Sequence, residues 1–318
     1  MHKPDRKRII FDRFAAIAAL LAAASYDYGF RIWILAAAAA GSALLTERIS
    51  LCIRKKPFTS GNLDAAVTGL VILLLLPPTV PVSLLIMSCI FAIIIGRQLF
   101  GGMENPVILP AAAGYCFCLL NNRAAASLFP AVKETLPLAA PDPAALSEGV
   151  SLLWNRAGRF SVSVLEWLTG LPCQPVGTGS LVLLTAVAAV LVLRRAASGW
   201  VLIPAVIVMI VSNLVISNLQ HPGAVIVGSM LTNQTLPSII FLHADPDHAP
   251  PNLAGIAYGF AVGFVSFFAT RILFVSDAPV LLAVLLSPLM ILLRRALENP
   301  GEPDVSAAEG RALHEAAP

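Results

Sequence analysis

Ten apolar runs of helix length constrain this chain more than any other feature of its sequence. They lie at 13–27, 31–46, 63–76, 80–96, 106–120, 178–193, 200–217, 222–242, 252–274 and 278–293. A helix needs about 20 apolar residues to cross a hydrocarbon core of about 30 Å. Charged residues make up only 12% of the chain, against about 25% in soluble domains. The sequence therefore predicts an all-α polytopic membrane protein with about ten transmembrane helices and excludes a soluble globular domain.

Prolines interrupt the 63–76 and 222–242 runs at depths where lipid does not tolerate unpaired backbone groups. The first run stops at Pro77-Pro78, and a proline pair cannot continue a helix. The second run contains Pro237. Short, broken segments at corresponding places in two halves are typical of inverted repeats with a binding site where the repeats meet. We therefore expect two inverted five-helix repeats, in which both runs are re-entrant or discontinuous and meet near the middle of the bilayer.

Lysine and arginine cluster in connections that share one side of the membrane if the chain crosses it ten times. The clusters are Lys3–Arg8, Arg48–Lys56, Arg97, Arg194–Arg195 and Arg294–Arg295. An excess of these residues marks the cytoplasmic side, so both termini are predicted to be cytoplasmic. Arg31 and Arg271 fall on the opposite side and are the exceptions to the pattern.

The predicted organisation has four parts. Residues 1–120 form the first repeat with its basic amino terminus, and 178–297 form the second repeat. Between them, 121–177 is a long external connection, in which an apolar stripe over 151–169 predicts a helix lying on the membrane surface. Residues 298–318 are predicted to be a disordered cytoplasmic tail.

Most of the candidate site residues lie between positions 60 and 110. Thr68 and Arg97 are polar at membrane depth, where ionisable residues are costly and mark functional sites by default. Gly101-Gly102 precedes a helix expected to start at Asn105, and the N–H groups of such a helix end attract a phosphate or an electron-rich ring. We interpret these residues as a cofactor-binding set. Two plainer interpretations stay open: Arg97 as an interfacial anchor and Asn105 as a helix N-cap.

Several strings in the chain follow one another in the order found in a known family of membrane proteins. They are Asp64 to Leu70, Leu76-Pro77-Pro78, Gly96 to Pro106, Gly177 to Ser180, Phe241 to Pro250 and Leu285 to Leu289. In this order the chain resembles the RnfD/NqrB family, which comprises one membrane subunit of the Rnf electron-transport complex and its relative in the sodium-pumping NADH:quinone reductase. The resemblance covers about residues 10–295, and it rests on the joint order because no single string would suffice.

The resemblance implies a ten-helix, inverted-repeat fold of the urea-transporter kind. It also implies a membrane subunit, not catalytic when isolated, of a complex that couples flavin-based electron transfer to translocation of Na⁺ or H⁺. The implied partners are the other subunits and the lipid bilayer of the bacterial cytoplasmic (inner) membrane, with no nucleic acid. The implied cofactor is FMN, joined through its phosphate to a threonine of the external connection. A solute channel or transporter with the same architecture and no flavin is the alternative.

The flavin-attachment motif of the family is altered in this chain. The nearest string runs from Val132 to Ala139 and makes Thr135 the candidate attachment residue. A phosphate there would need cationic partners, and Lys133 and Arg123 are near it in sequence. However, Lys133 and Glu134 replace small residues that a flavin transferase would be expected to read. This departure favours a member of the family without covalent flavin.

Two histidines and two aspartates crowd the stretch from His243 to His248 and could be read as a metal cluster. A sequence in which Asp245 precedes a proline more often makes a tight turn. The resemblance assigns no metal here, and we expect none.

Overall fold

A computed structural model of the protein describes residues 6–100, 107–130, 147–148, 151, 154–155, 174–217, 222–250 and 252–298. All ten apolar runs form helices within these ranges, and the two strands have only two residues each. The chain is therefore the all-α polytopic protein that its sequence predicts. Several predicted features lie outside the described residues: Gly101, Gly102, Asn105, Thr135, most of the 151–169 segment and the tail after 298.

The first half contains five long helical segments. They are α1 (Arg6–Tyr28), α2 (Arg31–Ile53), α3 (Asp64–Leu75) after a 3₁₀ turn (Ser60–Leu63), α4 (Val82–Phe91) continued by a π-helix (Ala92–Gln98), and α5 (Pro110–Asn121). A short helix α6 (Arg123–Ser127) then leads into β1 (Leu128–Phe129), which pairs antiparallel with β2 (Ser147–Glu148).

The second half repeats this series after a 3₁₀ turn (Val176–Thr178). It contains α7 (Leu181–Leu193), α8 (Gly199–Ile216), α9 (Pro222–Leu231), α11 (Asn252–Arg271) and α12 (Ala278–Glu298). Between α9 and α11 lie a 3₁₀ turn (Thr232–Gln234), the short helix α10 (Thr235–Ser238) and a π-helix (Ile239–His243). We call the whole segment from 222 to 243 the broken helix.

Within the described residues, five helical segments are long and apolar enough to cross a membrane, judged by length and composition. They are Arg6–Tyr28, Arg31–Ile53, Gly199–Ile216, Pro222–His243 and Asn252–Arg271. Other apolar segments are shorter; α3 has 12 residues, which rise about 18 Å. A helix of that length cannot cross a hydrocarbon core of about 30 Å by itself, so it depends on packing against protein.

The two halves pack their helices in the same order. In the first half, α2 packs against α3 and α4, α5 packs against α3 and α4, and α1 packs against α3. In the second half, α8 packs against α9 and α11, α12 packs against α10 and α11, and α7 packs against α9. This correspondence supports the predicted pair of five-helix repeats. Because each repeat has five helices, an odd number, the second repeat would start on the opposite side of the membrane from the first. An inverted arrangement requires this.

Helix α3 lies inside the bundle, since every residue from Ala65 to Leu75 is buried. It ends before Pro77-Pro78, where Leu76 is extended. The guanidinium of Arg31 donates to the carbonyl oxygens of Pro78 and Val80, both at 3.1 Å. These bonds satisfy backbone acceptors that the end of the helix leaves open. They also give a structural role to Arg31, one of the two exceptions to the predicted charge pattern.

The prediction of a discontinuous second segment is confirmed, but its break does not lie at Pro237. The broken helix is interrupted at Asn233 and Gln234, whose φ angles of 57° and 55° are left-handed. Residues other than glycine rarely adopt this conformation, although asparagine tolerates it better than most. Pro237 lies inside α10, just after the break. Helix α10 contacts α3, so the two interrupted segments meet as expected.

Candidate functional site

A cavity lined by charged side chains opens where α1, α3, α5 and the end of the broken helix come together. This charged cavity is lined by Arg6, Arg13, Asp64, Thr68, Arg97, Asp245, Asp247 and His248, with apolar residues of α3 and α5 between them. It has an empty volume of about 600 Å³, including the part open to solvent. Because both halves contribute to the lining, neither half alone could form this site.

Arg13 of α1 forms a two-pronged ion pair with Asp245, which follows the broken helix. Its Nη1 lies 3.1 Å from Oδ2 and its Nη2 lies 3.0 Å from Oδ1. Its Nε also donates to the carbonyl oxygen of Ala196 at 3.3 Å, so one side chain joins α1 to two connections of the second half. Burial raises the pKa of Asp245, but Arg13 and His248 outweigh it and hold that pKa well below its usual range.

Arg97, in the π-helix that continues α4, is only 3% exposed and lies between two carboxylates. Its Nε is 3.6 Å from Oε1 of Glu47, and its Nη1 is 3.4 Å from Oδ2 of Asp64. No acceptor among the described residues lies within hydrogen-bonding distance of its Nε or Nη2. Glu47 accepts further hydrogen bonds from the amides of Asn62 (2.8 Å) and Gln98 (2.6 Å). Arg97 is therefore the centre of a buried charge cluster.

The charged cavity brings together two of the six residues predicted to bind a cofactor. Thr68 lines it beside Arg97, and its hydroxyl donates to the carbonyl oxygen of Asp64 at 3.1 Å. Gly101, Gly102, Asn105 and Thr135 lie outside the described residues and stay predictions. Sequence reasoning did not identify the ion pairs made by α1, although charged residues beside an apolar run were a usable signal.

The two histidines near the end of the broken helix contact other groups of the protein. The two ring nitrogens of His243 lie 2.7 Å from the hydroxyl of Tyr258 and 2.8 Å from the carbonyl oxygen of Pro279. Nδ1 of His248 lies 3.5 Å from Asp245. Within the part of the chain that the structure describes, no three His, Cys, Asp or Glu side chains are placed to hold a metal ion.

A second cavity lies beside the break in the broken helix, near the end of α5 remote from the charged cavity. This polar cavity is lined in part by Arg123, Ser127, Ser151, Asn233, Gln234 and Asp277. The hydroxyl of Tyr115 donates to Oδ1 of Asp277 at 2.8 Å, and Nε2 of Gln234 donates to the Tyr115 oxygen at 2.8 Å. Sequence reasoning missed this cluster. The adjacent Asn233 and Gln234 inside an apolar run were the signal that could have located it.

The two halves have the same packing order, and the bundle contains interrupted helices and polar cavities. These features define a polytopic membrane protein with polar sites inside its helical bundle. Comparison with known sequences makes the assignment specific. The chain belongs to the NQR2, RnfD, RnfE family, whose profile matches residues 2–298.

Curated relatives that bear the name of the D subunit of an ion-translocating oxidoreductase complex are similar to parts of the chain. The protein from Haemophilus influenzae (strain PittEE) is 31% identical over 98 residues, 30% of this chain and 27% of the relative. The protein from Sodalis glossinidius is 32% identical over 118 residues, 36% of this chain and 34% of the relative. The protein from Yersinia enterocolitica is 36% identical over 101 residues, 31% of this chain and 29% of the relative. The matched stretches thus span at most about a third of these relatives' lengths.

Proposed function

We propose that this chain is a membrane subunit of an ion-translocating oxidoreductase complex of the Rnf type, taking part in flavin-based electron transfer across the membrane. The observation that carries the proposal is the family match over residues 2–298, together with the name that its relatives bear. The other subunits of such a complex are its proposed partners. On its own the chain is not proposed to be an enzyme.

The charged cavity supports the proposal. Three aspartates line it together with three arginines, so its ionised groups balance in formal charge. A carboxylate inside a membrane protein needs such a partner, because an unpaired charge is costly there. Buried ionisable residues of this kind mark ion pathways in membrane proteins, which is what an ion-moving subunit requires.

The test is purification of the native complex through a tag on this chain. The complex should contain further subunits, and after reconstitution into vesicles it should move Na⁺ or H⁺ when electrons are supplied. The control is the remaining complex from cells lacking this chain, purified through a tag on another subunit, and it should move neither ion. If the isolated chain instead lets small neutral solutes cross vesicles without any electron donor, the alternative of a solute channel holds and the proposal is wrong.

FMN is the proposed cofactor, and the polar cavity offers groups that fit its phosphate. Arg123 stands exposed at the rim, and Ser151 adds a hydroxyl group. Guanidinium and hydroxyl groups are the donors that a phosphate accepts from. When bound, FMN would supply the electron-accepting and electron-donating chemistry. The residues named here would hold and orient its phosphate.

Covalent attachment of FMN would use Thr135, and we expect no such attachment. A denaturing gel of the protein, co-expressed with a flavin transferase, should show no fluorescent band, because Lys133 and Glu134 alter the motif. Any flavin that the protein binds would then be non-covalent and would be released when the protein is denatured. A fluorescent band that disappears in Thr135→Ala would contradict this prediction, and one that survives the substitution would move the attachment elsewhere.

We further propose that the chain lies in a bacterial cytoplasmic membrane with both termini in the cytoplasm, as the basic clusters indicate. The native cysteine of the same external connection is first removed by Cys173→Ser. In this background, Ser147→Cys in β2 should react with a membrane-impermeant maleimide in intact cells. The exposed Cys52, at the end of α2, is a built-in control that should react only after permeabilisation. Labelling of position 147 only after permeabilisation would overturn this topology.

A further inference from the structure

The polar cavity holds the half-buried carboxyl group of Asp277, which forms no ion pair with any described residue. Asp277 accepts a hydrogen bond from the Tyr115 hydroxyl, and no described cationic side chain lies within ion-pair distance. An ionised carboxylate withdrawn from water without a partner is costly, and such a group tends to become neutral instead. Burial raises the pKa of Asp277 by more than Tyr115 and Arg123 lower it.

A hydrogen-bonded chain leads from this carboxyl group to the break in the broken helix. Gln234 donates to Tyr115, and Tyr115 donates to Asp277, both at 2.8 Å. Gln234 is 5% exposed, and its Oε1 has no hydrogen-bond donor among the described residues. A buried acceptor without a donor is unfavourable. Gln234 and Asp277 both line the polar cavity, so a proton on Asp277 would remove the unpaired charge beside this break.

The break itself is held in place by specific contacts. The backbone N–H of Asn233 donates to Oγ of Ser151 at 2.8 Å. The side-chain amides of Asn233 and Asn155 exchange two hydrogen bonds, at 2.8 and 3.0 Å. Two consecutive left-handed residues other than glycine persist only where the surroundings enforce them, and such positions cluster at functional sites.

We propose that Asp277, Tyr115 and Gln234 form a proton-binding site at the break in the broken helix, reached through the polar cavity. Among the described residues, the titratable or charged groups that face Asp277 are Tyr115 and Cys116 from α5 and Arg123 from α6. The residues that the broken helix contributes, Asn233 and Gln234, carry no charge. Arg123 disfavours a metal cation in the same cavity, whereas a proton needs no coordination shell. The site rests on its own geometry and does not depend on the proposed complex.

Infrared spectroscopy of the full-length protein in lipid nanodiscs tests the site. As the pH is lowered from neutral, the wild type should gain the carbonyl band of a protonated carboxyl group at a pH above the ordinary pKa of an aspartate, about 3.9. Asp277→Asn should lack this band, and Asp277→Glu should restore it. Asp247→Asn, which removes an ion-paired carboxylate of the charged cavity, is the matched control and should leave the band unchanged.

Tyr115→Phe gives a second, directional result. Its hydroxyl stabilises the charged form of Asp277, so its loss should move the titration to higher pH by about one unit. A band that is the same in the wild type and in Asp277→Asn would overturn the proposal. A shift of the titration of Asp277 by Na⁺ at constant ionic strength would also overturn the proposal, because the site would then bind a metal cation.

Discussion

Arg13→Ala should destabilise the protein by about 3–5 kcal/mol, the cost of removing one partner of a buried ion pair. The substitution leaves Asp245 buried and ionised without its two short contacts to the guanidinium. It also removes the donor to Ala196, which ties α1 to the second half. Unfolding in mixed detergent micelles, followed by near-ultraviolet circular dichroism, would measure the loss.

The matched control is Lys7→Ala, an exposed cation on the same helix, which should change the free energy of unfolding by less than about 0.5 kcal/mol. Arg13→Ala combined with Asp245→Asn should recover much of the stability, because the buried charge is then gone. If the double variant is as unstable as Arg13→Ala, the loss comes from packing rather than from the ion pair.

The same pair predicts a pH dependence with a definite sign. The pKa of Asp245 is depressed in the folded protein, so the pair stabilises the fold above the unfolded-state pKa of about 3.9 and loses this effect only as the pH falls below it. In Arg13→Ala, burial is no longer opposed by the guanidinium and the pKa of Asp245 rises. The difference in stability between wild type and variant should therefore shrink as the pH is lowered.

Arg97→Ala should have a comparable effect, about 3–5 kcal/mol of destabilisation, because it leaves Glu47 as a buried carboxylate without a cation. Glu47 is only 1% exposed and would retain just its two amide donors. Asp64, also paired with Arg97, would lose its cation as well. The midpoint of thermal unfolding, measured by fluorescence-detected size exclusion, reports the change.

Lys56→Ala, which removes an exposed cation just after α2, serves as the control and should leave the midpoint unchanged. The double variant Arg97→Ala with Glu47→Gln should be more stable than Arg97→Ala alone. Equal stability of the single and double variants would show that Glu47 is not the group that Arg97 neutralises. That result would leave the predicted cofactor role of Arg97 untouched, and only a ligand-binding measurement could support that role.

The sequence by itself located the helices because two properties of the bilayer constrain each segment separately. The hydrocarbon thickness sets its length, and the lack of water requires its backbone groups to be hydrogen-bonded within the protein. All ten apolar runs are helices, and the proline pair ends α3 where predicted. Thr68 and Arg97, predicted from the sequence to bind a cofactor, both line the charged cavity, and their cofactor role stays a prediction. Each of these inferences needs only the local cost of placing a polar or kinked residue in lipid.

Only the tertiary structure decided which polar groups meet. Arg13 and Asp245 are 232 positions apart, and Tyr115 and Asp277 are 162 apart. No local pattern encodes such pairs, because they form only when helices from both halves pack together. The exceptions to the charge pattern are explained in the same way: Arg31 binds carbonyl oxygens after Pro77, and Arg271 donates to the carbonyl oxygen of Trp154 at 2.6 Å. Both arginines donate to backbone carbonyl groups distant in sequence, which come within reach only once the chain has folded.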